Sequence, residues 1–80
     1  MKFPLALERY SYLQEKLANS TLSENDELVL TQQFKNVRQY LYNTFMMFRL
    51  HGGLNNKNQS FEEWVADEIR LKREIDGLNQ

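Results

Sequence analysis

Cysteine is absent from this 80-residue sequence, which excludes a disulfide framework and any thiolate metal site. Histidine occurs once, as His51, so no imidazole pair can form a metal set, and the commonest proton shuttle near neutral pH has a single representative. Proline also occurs once, and there is neither an internal repeat nor a low-complexity tail. No apolar run approaches the roughly 18 residues of a membrane span. Neither sign of charge dominates: 10 basic residues face 11 acidic ones, for a formal net charge of −1. No long-range field therefore draws the chain to nucleic acid or to an anionic membrane. The opening MKFPLALERY carries a short apolar patch broken by Glu8 and Arg9. With no small-residue cleavage site after it, it does not read as a signal peptide. The expectation is one domain over residues 1–80, cytoplasmic and independent of membranes and cofactors.

What the sequence does have is a dense aromatic and methionine-bearing stretch, FKNVRQYLYNTFMMFRL, from Phe34 to Leu50. At about 100° per residue, Leu30, Phe34, Val37, Leu41 and Phe48 fall on one stripe, with Phe45 at its edge. Such a stripe is a face laid against neighbouring helices. Tyr42, Met46 and Leu50 make a second line, and Tyr40 and Met47 a third. The N-terminal half of this helix is polar outside the stripe. The second half is apolar almost all round, and a helix of that kind is normally buried all round. Two short flanking helices supply little cover. A domain this small, without a disulfide or a metal, relies on tight helix packing or on oligomerisation for its net stability. The pattern therefore predicts an all-α, three-helix bundle with a long central helix that self-associates, a dimer being the simplest form.

The flanking segments read as helices by the same periodicity. Phe3, Ala6, Leu7, Tyr10, Leu13 and Leu17 recur at spacings of three and four, and Pro4 suits a first turn; the first helix is expected over 4–18. The central helix is expected over 22–51. Thr21 with Glu24 offers a capping box at its start, with Ser23 and Asp26 as a competing register. Glu24, Asp26 and Glu27 complement the positive end of the helix dipole, which explains this acidic cluster without a cation site. Gly52-Gly53 ends the helix, with Arg49 and His51 suited to its negative end. No strand precedes these glycines and no GxxxxGK pattern follows, so they are not a phosphate cradle. A polar loop is expected over 54–59. Ser60 with Glu63 opens a third helix over 60–77, whose apolar face is Phe61, Trp64, Val65, Leu71, Ile75 and Leu78. Asp67, Arg70, Arg73 and Glu74 point outward, with Arg70 and Glu74 paired four apart. Glu68 interrupts the apolar face, with Lys72 beside it: either the face is open there or, as is expected, Glu68 meets a cation such as Arg38, Arg49 or His51.

No catalytic constellation emerges. There is no HExxH or DxDxDG pattern, the Glu62-Glu63 and Asp67-Glu68 pairs fall on helix surfaces, and no base organises the loop serines. An enzyme is not expected. Protein recognition fits the residue types best, because binding hot spots favour Trp, Tyr and Arg and interface cores are enriched in Met and Phe. The candidate protein-binding residues are Arg38, Tyr40, Tyr42, Phe45, Met46, Met47 and Arg49. The expected function is a non-catalytic interaction module: a small adaptor, regulator or inhibitor, of the kind phages and mobile elements encode, docking on a partner protein or on itself. The alternative is a nucleic-acid-binding regulator using Lys35, Arg38 and Arg49, cations interleaved with aromatic side chains on one helix. An acidic first turn on the same helix counts against it, since phosphate contacts dominate such affinity.

Overall fold

A computed structural model of the chain describes residues 2–53 and 58–78. It contains three α-helices, α1 (Phe3–Asn19), α2 (Glu24–Leu50) and α3 (Phe61–Leu78), and no strand among the described residues. This is the all-α bundle with a long central helix that the periodicity predicts, with bounds within two residues of expectation. Of the polar loop expected over 54–59, residues 54–57 lie outside the described residues.

Four of the helix ends have an identifiable local cause. Phe3 and Pro4 form the first turn of α1, where the missing proline N–H costs nothing. At the start of α2 the Ser23 register wins: its side chain accepts a hydrogen bond from the Asp26 N–H at 3.2 Å, so the helix begins at Glu24 rather than near residue 22. Satisfying one orphan donor in this way is worth about 1 kcal/mol. At the other end His51 is the capping residue. Gly52 takes φ +74°, and the Gly53 N–H donates to the Phe48 carbonyl at 2.7 Å. That six-to-one bond across a left-handed glycine is a Schellman closure. Ser60 opens α3 as expected, accepting from the Glu63 N–H at 3.2 Å while its hydroxyl donates to the Glu63 carboxylate at 3.2 Å.

α1 and α2 form an antiparallel hairpin, with Phe3 beside Phe48 at one end and Tyr10 stacked on Phe34 further along. α3 begins over α2, where Phe61 and Trp64 lie against Phe45, and then runs along α1, where Lys72 meets Glu8 and Arg73 meets Ser11. The core is Ala6, Leu7, Tyr10 and Leu13 from α1, Val37, Leu41 and Phe45 from α2, and Phe61, Trp64 and Val65 from α3. Leu13 and Leu41 are its most fully enclosed large side chains. Trp64 joins all three helices, with ring centroids 5.9 Å from Phe3, 5.5 Å from Phe45 and 5.9 Å from Phe48.

The bundle is open at one end. Its radius of gyration is 14.0 Å, against about 12 Å for a compact domain of this length. Its accessible surface is 6100 Å², against about 5,100 Å² for a folded monomer of this mass. The expected apolar face of α3 is covered only in its first half. Phe61, Trp64 and Val65 are buried, whereas Leu71, Ile75 and Leu78 are exposed, because the helix runs on past the α2 side chains that cover its first turns. Phe48, expected on the main stripe, is likewise left partly open at the last turn of α2, where the rings of Phe3 and Trp64 lie beside it. No described helix is long and apolar enough to cross a membrane.

Candidate functional site

The outer residues of α2 divide into two groups. Phe45 is only 3% exposed and lies among Phe61, Trp64 and Tyr42. It is a core residue, which corrects its place among the surface candidates: the first turns of α3 lie over the edge of the stripe on which Phe45 sits. Tyr40 and Met46 are half-buried against the same core. Arg38 is half-buried too, its guanidinium 3.3 Å from the Glu62 carboxylate and 4.9 Å over the Phe61 ring. This cation bolts α2 to α3 and lies near Tyr10, whose hydroxyl pKa is raised by burial, with Arg38 opposing the shift. The outward group is Tyr42, Met47 and Arg49. Tyr42 is 39% exposed and leans on Phe61 and Phe45, while Met47 is 56% exposed. Leu50, 75% exposed, continues this group to the helix end.

A second set of open apolar side chains belongs to the two helices expected to cover α2. Leu71, Ile75 and Leu78 on α3, and Leu5 on α1, are all exposed. Between the start of α1 and the second half of α3 runs a groove of about 350 Å³, whose lining includes Phe3, Pro4, Leu7, Glu68, Leu71 and Ile75. Phe3 also touches Phe48, at 6.4 Å between ring centroids, so the groove and the end of α2 share one corner of the molecule. The signal in the sequence was Glu68 itself: a carboxylate in an apolar stripe marks a stretch with nothing apolar laid over it.

Glu68 does not meet the cation expected for it. Arg38 is engaged by Glu62, and among the described residues Glu68 forms no ion pair with Arg49 or His51 either. Lys72, one turn on, is held charged by Asp76 at 2.7 Å and Glu8 at 3.0 Å. Glu68 is thus left half-buried in the groove, and its pKa is raised by burial and, secondarily, by the charge of Asp67. A raised carboxyl pKa means that the folded chain binds this proton more tightly than the unfolded one. Glu68 therefore costs stability as pH climbs from the ordinary 4.5 through its raised value, and the cost is fully present at neutral pH. In the dilute chain Glu68→Gln is expected to raise the melting temperature at pH 7, by no more than about 1 kcal/mol of stability given solvent screening. It should bring no gain in acid, well below 4.5. Melting curves of both proteins at the two pH values check this.

Of the three cations in the nucleic-acid alternative, Arg38 is occupied, while Lys35 and Arg49 are exposed and separated by about 21 Å along α2. Among the described residues no three acidic or histidine side chains gather as a metal set. Comparison of the chain with known protein families, curated proteins and solved structures finds no match in any of the three.

Proposed function

We propose that this chain is a non-catalytic interaction module that acts by docking the open end of its bundle on a protein surface. The observation that carries this reading is the succession of open apolar side chains around one corner: Leu50 and Phe48 at the end of α2 and Leu71 and Ile75 on α3, joined through the half-buried Phe3 at the start of α1. The chain as a whole exposes about 1,000 Å² more than a compact monomer of its mass, with open apolar side chains also at Tyr12, Leu28 and Val29. Residue types agree: methionine adapts its shape to a partner, and tyrosine tolerates both water and burial. Of the residues that the sequence offers for protein binding, this surface holds Tyr42, Met47 and Arg49; Arg38, Tyr40 and Met46 are half-buried and Phe45 is in the core.

The test is the double variant Leu50→Glu/Ile75→Glu. Both positions are exposed, so substitutions there should change stability by less than about 0.5 kcal/mol and leave the helical circular dichroism intact. Every assembly that the wild-type chain forms, with itself or with another protein, is expected to weaken at least about tenfold, as two charges placed in a desolvated contact cost several kcal/mol. A folded variant that keeps all those assemblies would contradict the reading.

A further inference from the structure

Resting on that reading, we infer that the occupant of the open corner is a second copy of this chain. Each copy places the end of its α2, with Met47, Leu50 and Arg49, in the α1–α3 groove of the other, Arg49 opposite Glu68.

Three observations lead there. The groove carries more negative than positive charge. Around it stand the carboxylates Glu8, Glu68 and Asp76 against the single ammonium of Lys72, which is already shared between Glu8 and Asp76. An occupant must therefore bring positive charge among apolar side chains, so that Glu68 is paired when water is excluded. The last turn of α2 has that composition: Leu50 and Met47 are among the most open apolar residues of the helix, and between them Arg49 is exposed and has no ion pair among the described residues. Finally, donor and acceptor are neighbours. Phe48 adjoins Arg49 in the chain and packs on Phe3 and Trp64, Phe3 lines the groove, and Glu68 lies one turn beyond Trp64. A two-fold axis requires one patch that is complementary to itself. A corner holding both the knob and the groove meets that requirement, and forms the Arg49–Glu68 pair twice.

The experiment is a reciprocal charge reversal read by sedimentation velocity over a concentration series, with circular dichroism to confirm helicity. Wild type is expected to dimerise. R49E places two carboxylates together at both contacts and E68R two guanidiniums, so each variant alone should dissociate at least about tenfold more readily. Mixed in equal amounts they should recover the dimer. In the mixed pair, one contact sets the carboxylate introduced by R49E against the guanidinium introduced by E68R, and the other keeps the original Arg49 against Glu68. Arg49 is on the surface, so R49E remains informative should E68R lose helicity. The proposal is overturned by a wild-type chain that stays monomeric, by a folded R49E that dimerises as wild type does, or by a mixture of folded variants that stays monomeric. A monomeric wild type whose complex with another protein is lost in the Leu50→Glu/Ile75→Glu variant removes the second copy and leaves the docking surface standing. Retention of every complex by that variant removes both.

Discussion

Trp64→Ala is expected to destabilise the chain by about 3–5 kcal/mol, the range for truncating a buried tryptophan. A domain of this length has roughly 4–12 kcal/mol in all, so the variant should melt about 15–30 °C lower or fail to fold. The reason lies in how α3 is held. Its buried side chains are Phe61, Trp64 and Val65, all within its first turn and a half. Trp64 and Phe61 both touch aromatic rings of the other two helices, and Trp64, the larger, lies among Phe3, Phe45 and Phe48. Beyond it, α3 is tied to α1 mainly by Lys72 to Glu8, Arg73 to Ser11 and the half-buried Ile69. Exposed ion pairs of this kind contribute from nothing to about 1 kcal/mol each. Losing the indole removes the largest of the three buried side chains of α3 and its contacts with Phe3, Phe45 and Phe48, leaving Phe61 and Val65 to hold the helix. Thermal unfolding followed by circular dichroism measures the effect. A loss below about 1 kcal/mol would mean that α3 is held chiefly by something other than this ring cluster.

Much of this arrangement was legible in the residues. Ala6, Leu7, Tyr10 and Leu13 repeat at helical spacing and form the α1 face of the core, as their period implies. The caps at Ser23 and Ser60 and the closure at Gly52 follow from local chemistry that needs no tertiary partner. The unread part depends on where helices cross. A wheel places Leu71 and Ile75 on the same stripe as Trp64, but it does not say that α3 outruns its cover. It places Phe45 at the edge of a stripe and Phe48 on it. The direction from which α3 approaches reverses their burial, since Phe61 and Trp64 settle over Phe45 and leave Phe48 at the rim. Arg38 reads as an available cation in the sequence because nothing there places Glu62, 24 positions away, beside it. Glu68 is the local inconsistency that points to the open groove; of the cations expected to meet it, Arg38 is engaged by Glu62, and neither Arg49 nor His51 pairs with it among the described residues.

The most direct test of the open corner uses the absence of natural cysteine, which makes any single introduced thiol the only one present. Ile75→Cys samples the open face of α3, at a position 57% exposed, and Val37→Cys samples the core, at a position 3% exposed. Cysteine is close to valine in size, so the core variant keeps most of its packing. A buried thiol reacts only through opening of the fold, and each 1.4 kcal/mol of opening free energy slows labelling about tenfold. In the dilute chain Ile75→Cys should therefore label at the rate of a free thiol, at least about a hundredfold faster than Val37→Cys. On raising the concentration, or on adding extract from the native host, labelling of Ile75→Cys should slow as the corner is covered, while Val37→Cys stays slow throughout. A thiol at position 75 that is protected in the dilute chain, or that labels at the same fast rate under every condition, would contradict the account.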